Sequence, residues 1–116
     1  MTESRLRPVE IYEPVRKLIR SWSPDLRREL GAVLVRLQRG EIVGMPDVRP
    51  MPTVARGAFE VRISSARAAY RAFYITADKH GILVFHAFEK KSQKTPQKEI
   101  ATGITRLTVF LKQLET

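Results

Sequence analysis

The run Gly81-Ile-Leu-Val-Phe-His-Ala-Phe88 leaves the fewest options for the fold. It is almost wholly apolar and lacks the alternation of a strand with one wet face. Such a segment reads as a central strand covered on both sides. A turn, Asp78-Lys79-His80-Gly81, precedes it, and Gly81 can take the positive φ such a turn needs. Upstream, Ala58-Phe-Glu-Val-Arg-Ile-Ser64 alternates. Phe59, Val61 and Ile63 share one face, and Glu60, Arg62 and Ser64 the other. Ala68-Ala-Tyr-Arg-Ala-Phe-Tyr-Ile-Thr76 between them is aromatic and β-branched. Residues 58–89 therefore predict an antiparallel meander of three strands with short turns.

A covered sheet needs covering elements, and the N-terminal third supplies two. Residues 7–13 can form a short strand. Val15, Leu18, Ile19 and Trp22 then recur at helical spacing. Ser23 suits an N-cap, Pro24 the first helical position, and Asp25 the positive end of the helix dipole. Leu26, Leu30, Val33, Leu34 and Leu37 follow as one stripe, and Gly40 stops it. These segments predict a helical hairpin joined by a tight Ser-Trp-Ser-Pro link, with Trp22 in the core between helix and sheet. Gly44 to Pro52, with one glycine and three prolines, reads as a connector. Pro96 can open a last helix, whose apolar positions are Ile100, Ile104, Leu107, Leu111 and Leu114. No internal repeat and no second domain is visible, so residues 1–116 read as one α+β domain: a helical hairpin on a small antiparallel sheet, closed by a C-terminal helix.

Composition narrows the function. The 116 residues hold 21 Lys+Arg against 12 Asp+Glu, a formal charge of +9. That excess favours a polyanionic partner such as nucleic acid, an acidic protein or an anionic membrane. With no cysteine, thiolate nucleophiles, disulfides and Cys-bound zinc are excluded. Two histidines without an acidic cluster at ligand spacing argue against a metal site, and no cofactor motif is present. No apolar run nears the roughly 20 residues that span a bilayer, so no membrane partner is expected. The first residues contain no apolar signal core, and the simplest reading is cytoplasmic.

The most distinctive string is His86-Ala-Phe-Glu-Lys-Lys-Ser-Gln-Lys-Thr-Pro96. With Phe59-Glu-Val-Arg62, Tyr70-Arg-Ala-Phe-Tyr74 and the Gly40…Gly44-Met-Pro46 stretch, it resembles the RelE/ParE superfamily of toxins from bacterial toxin–antitoxin pairs. Within it, the string resembles the HigB-like, phage-related branch. The likeness covers roughly residues 13–114 in order and spacing. Ala72, Ala87 and Ser92 depart from the branch's usual residues, and Gly103 falls inside the expected last helix, where glycine costs about 1 kcal/mol relative to alanine. The resemblance implies a RelE-like fold and a ribosome-dependent endoribonuclease acting on mRNA in the ribosomal A site. It further implies contact with ribosomal RNA and a cognate helix-turn-helix antitoxin. Some members of the superfamily poison DNA gyrase instead, and a non-catalytic RNA-binding module is a further alternative.

Metal-free RNA cleavage needs a base for the 2′-hydroxyl, an acid for the leaving 5′-oxygen, and cations for the phosphorane-like charge. Arginine's planar fork holds two non-bridging oxygens, and a lysine crowded by cations has a lowered pKa. Arg62 alternates away from the apolar face, either toward substrate or into a surface pair with Glu60. Arg71, on a face with Phe73 and Ile75, is costly to bury alone. It reaches either a groove or a carboxylate. With the resemblance, Arg62, Arg71, Lys90 and Lys91 form the expected catalytic set. Lys94, Gln93, Thr95 and His86 are the expected RNA-binding residues. Thr95 is equally a candidate N-cap before Pro96. His86, on a face with Val84 and Phe88, is equally a packed core histidine. His80 reads as a turn residue, and Tyr70, Tyr74 and Phe88 read mostly as core. Arg16, Lys17, Arg20, Arg27, Arg28, Arg36 and Arg39 decorate the hairpin, as a solvated face or as a surface for RNA or an acidic antitoxin segment.

Overall fold

The computed structural model describes residues 6–91 and 94–115. The elements in chain order are β1 (Val9–Ile11), α1 (Glu13–Arg20), α2 (Pro24–Gln38), β2 (Val48–Pro50), β3 (Ala58–Ser64), β4 (Ala69–Ala77), β5 (Gly81–Lys90) and α3 (Gln97–Leu114). The expected α+β architecture is present. Its sheet has five strands in the order β1-β5-β4-β3-β2. The three predicted strands pair antiparallel at its centre.

Two features of the sheet differ from expectation. β1 pairs parallel to β5, so the sheet is mixed. Gly81 has φ +74°, and a Cβ there would meet the Pro8 carbonyl oxygen at 2.2 Å, so only glycine lets β1 lie alongside. The second difference is β2, which lies in the segment read as a connector. It pairs antiparallel with β3, Arg49 opposite Glu60. Its prolines hid it, but Pro50 ends an edge strand, where a missing N–H costs no ladder bond.

The hairpin helices form as their sequences predict. The Ser23 hydroxyl accepts from the Leu26 N–H at 3.4 Å. Past α2, Gly40 sits at φ +82°, with its N–H on the Leu37 carbonyl and the Glu41 N–H on the Arg36 carbonyl. That pairing is a Schellman C-cap. Leu26, Leu30, Val33, Leu34 and Leu37 are all buried against Val61, Ile63, Ala72, Tyr74 and Val84. Trp22 joins them, 4.8 Å from Tyr70.

α3 covers the opposite face, over Ala58, Phe73, Leu83, Phe85 and Phe88. Its buried stripe is Gly103, Leu107 and Phe110, flanked by Ile100 and Leu114. Ile104 and Leu111, expected inside, are exposed. Both spacings are helical, and Gly103 decides between them. A Cβ there would meet the Phe73 ring at 2.9 Å, so the glycine lets the helix settle onto the sheet.

A register shift between Phe73 and Tyr74 leaves Phe85 without a partner across the β4–β5 pair. Phe85 and His86 therefore face the same side, and the side-chain alternation reverses. Val84 stays with the hairpin helices while His86 lies under α3, which corrects the expectation that the two share a face. His86 is 4% exposed. Arg106 Nη1 donates to its Nδ1 at 3.1 Å, which leaves Nε2–H to donate to Glu99 Oε1 at 2.8 Å. Burial, and secondarily Arg106, hold the imidazole pKa below its ordinary value, against the opposing pull of Glu99.

Two expectations follow. Gly103→Ala gains about 1 kcal/mol of helix propensity but overpacks a fully buried ring, which costs 1–3 kcal/mol. The variant should melt below wild type, whereas a propensity effect alone would raise its melting temperature. Because folding lowers the His86 pKa, the unfolded chain binds the proton more readily. Stability should therefore fall as pH drops below about 6.5, the unfolded value. Denaturant melts of wild type and His86→Gln across that range check this: the variant's stability should vary less with pH.

Candidate functional site

The site lies where β3 ends, β4 begins and β5 ends, on the α3 face just before that helix starts. Arg62 and Arg71 stand directly opposite each other on β3 and β4. Like charges so placed repel. Lys90 ends β5, paired with Ala69, and Arg49 stands on β2 opposite Glu60.

Glu60 ties two of these cations, Arg49 and Arg71, together. It is fully buried, and its Oε1 lies 3.4 Å from Arg49 Nη2 and 3.6 Å from Arg71 Nε. Its Oε2 accepts from the Thr95 hydroxyl at 3.1 Å. The surface pair of Glu60 with Arg62 that alternation allowed is thus replaced by a buried network with Arg49, Arg71 and Thr95. Arg71 is itself buried. Its Nη1 donates to the Tyr70 carbonyl at 2.9 Å and to the Ile63 carbonyl at 3.5 Å. Arg62 is half-buried, its Nη1 against Met45 Sδ at 3.6 Å.

The electrostatics of the cluster are unbalanced. Arg49, Arg62, Arg71 and Lys90 meet the single carboxylate of Glu60. Burial lowers the Arg71 pKa, Glu60 opposes that, and Arg62 and Arg49 add to it. The Lys90 ammonium is also held below its ordinary value, first by desolvation, then by Arg71, with Glu60 opposing and Arg62 and Arg49 adding. The Nε atoms of Arg49, Arg62 and Arg71 are all buried without a hydrogen-bond partner among the described residues. A cleft of about 300 Å³ opens beside Arg62 and Arg71, lined also by Ser64, Ala69, Asp47 and Glu29. Four cations around the one carboxylate of Glu60 leave this cluster a surplus of positive charge, which is suited to an anion.

The expected site residues divide. Arg62, Arg71 and Lys90 come together, and Thr95 joins them through Glu60. Thr95 is not the N-cap of α3. Pro96 takes that position, and the Thr95 hydroxyl turns to the carboxylate instead. Lys91 stands apart, its side chain 82% exposed and 3.9 Å from Glu89, whose carboxylate lines a groove beside Trp22 and Tyr70. Lys94 is exposed on the loop to α3. Gln93 lies outside the described residues. His86 lies under α3 with both ring nitrogens engaged, so its polar atoms face Glu99 and Arg106 rather than the cleft.

Sequence reasoning missed Arg49, Glu60, Glu99 and Arg106. The signal for Glu99 and Arg106 was their spacing of seven, which puts both on one face of α3. Glu60 read as solvent-facing because it alternates with Val61. Arg49 was hidden in the proline-rich segment.

Residues 17–108 match the family described as phage-derived Gp49-like protein (DUF891). A comparison with curated proteins finds no match. Among solved structures, the E. coli toxin RelE, as an arginine-to-alanine mutant in the free state, aligns with a TM-score of 0.57 at 17% identity. The alignment covers 88% of this chain and 97% of that one. The expected RelE-like fold is thereby present, and with the family match spanning most of its length, this chain belongs to the phage-derived Gp49-like family (DUF891).

Proposed function

We propose that this protein is the toxin of a type II toxin–antitoxin pair and acts as a metal-free endoribonuclease on mRNA in the ribosomal A site. The observation that carries the reading is the cluster of Arg49, Arg62, Arg71 and Lys90, in which Arg49 and Arg71 meet a buried carboxylate and Arg62 and Arg71 line a cleft. Such a cluster favours a phosphodiester whose charge grows in the transition state. The 2′-hydroxyl attacks the adjacent phosphorus and its proton leaves to a base. The bond to the 5′-oxygen breaks, and that oxygen takes up a proton. The products are a 2′,3′-cyclic phosphate and a new 5′-hydroxyl end.

In this reading Arg62 and Arg71 hold the non-bridging oxygens. Lys90, whose pKa is lowered by burial and then by Arg71, accepts the 2′-hydroxyl proton. Lys91, Lys94 and Gln93 hold the flanking strand, while the Thr95 hydroxyl is turned inward to Glu60 and Arg49. His86 acts beneath them, tying β5 to α3. The basic face of the hairpin helices contacts ribosomal RNA, a helix-turn-helix antitoxin neutralises the toxin, and the pair works in the cytoplasm.

Arg62→Ala and Lys90→Ala should each cut cleavage at least about 100-fold and relieve growth arrest. Lys91→Ala, far more exposed, should lose less than about tenfold by the same measure. Primer extension after induction should show new 5′ ends within codons. DNA-damage signalling without such ends would point to gyrase, and RNA binding without new ends to a non-catalytic module. Either result sinks the nuclease reading.

A further inference from the structure

Arg49 lies outside the strings that carry the toxin resemblance, yet its surroundings set it apart from the other surface arginines. Nη2 sits 3.4 Å from Glu60 Oε1, 3.4 Å from Thr95 Oγ1 and 3.5 Å from Met51 Sδ. Its Nε is buried and has no hydrogen-bond partner among the described residues. Its side chain as a whole is 40% exposed, against 8% for Arg71. The guanidinium is therefore anchored on its inner side and open on its outer side.

A counterion role does not account for it. Glu60 already has Arg71 beside it, and one carboxylate needs one cation. Arg49 adds a fourth positive charge to a place that already holds Arg71, Arg62 and Lys90. Coulombic repulsion from Arg49 reaches both Arg71 and Lys90, so the groups share one field. A surplus guanidinium fixed at a solvent-open edge lacks only an anion.

We infer that Arg49 is a third phosphate-binding guanidinium of this site, aimed by Glu60 and Thr95, and that its ligand is a backbone phosphate of single-stranded RNA. The inference rests on the reading of this face as an RNA site. Arg62 and Arg71 take one phosphate, and Arg49 extends the contact along the strand from the β2 edge. The segment around β2 thereby becomes part of the substrate surface.

The test is equilibrium binding of a short fluorescent oligouridylate to the full chain across a salt series. Each phosphate contact with single-stranded nucleic acid contributes about 0.7 to the slope of log K against log salt. Arg49→Gln should lower that slope by about 0.7 and weaken binding about five- to tenfold at low salt. Arg62→Gln should do the same, and Lys112→Gln, exposed in the last turn of α3, should leave the slope unchanged. If Arg62→Gln lowers the slope and Arg49→Gln does not, the inference fails and the RNA-site reading stands. If neither does, both fail. An equal drop in Lys112→Gln means the slope reports net charge alone, which also overturns it. Arg49→Lys keeps the charge without the fork and covers the case of a misfolded glutamine variant. It should keep the slope and bind several-fold more weakly, and wild-type affinity would refute the assignment. Thr95→Val should weaken binding two- to threefold in wild type and not at all in Arg49→Gln; additive losses would remove Thr95 as a positioning residue.

Discussion

The buried carboxylate of Glu60 is the interaction on which the site depends. Arg71 sits almost wholly inside the protein, and an uncompensated cation there would cost several kcal/mol. Arg62 lies opposite Arg71 across the sheet and adds to that cost. Glu60 offsets part of it from within, from the middle of β3, where no solvent screens the attraction. Because among the described residues it reaches only Arg71, Arg49 and Thr95, the compensation is incomplete, and the cluster keeps a net positive charge. An entirely neutralised cluster would be more stable and would have less to offer a phosphate.

The same carboxylate helps to set the loop that carries the lysines. Lys90 is fixed by strand pairing with Ala69. Thr95 is held to Glu60, and two residues later α3 begins. Farther along the helix, Glu99 and Arg106 grip the two nitrogens of His86. That grip exists because the bulge at Phe85 turns His86 toward α3. Loop and helix are thus tied to the sheet at successive points, and the glycine at 103 lets the helix come close enough for the ties to form.

Much of this was legible in the sequence because periodicity reports burial. The α2 stripe, its serine cap, its glycine stop and the three central strands follow from local patterning and appear where expected. The errors occur where local pattern and burial part company. Glu60 alternates with apolar residues and so reads as solvent-facing, yet it is buried among Arg49, Arg71 and Thr95. Ile104 and Leu111 fit a helical stripe as well as Gly103 and Phe110 do, and only the fit against Phe73 separates the two. The strand around Arg49 carries the prolines of a connector, tolerated because it forms the sheet's edge.

The sequence by itself determined the class of fold, the order of its layers and the kind of partner its charge favours. Periodicity, capping residues and net charge are properties of short stretches or of the whole composition. It also placed Arg62, Arg71 and Lys90 near strand ends. Tertiary structure alone decided that these three meet, that Arg49 and Glu60 join them, and that Lys91 and His86 face elsewhere. The reason is register. Which side chain faces which depends on a bulge, an edge strand and one close helix contact, and each of these is fixed by residues far apart in the chain.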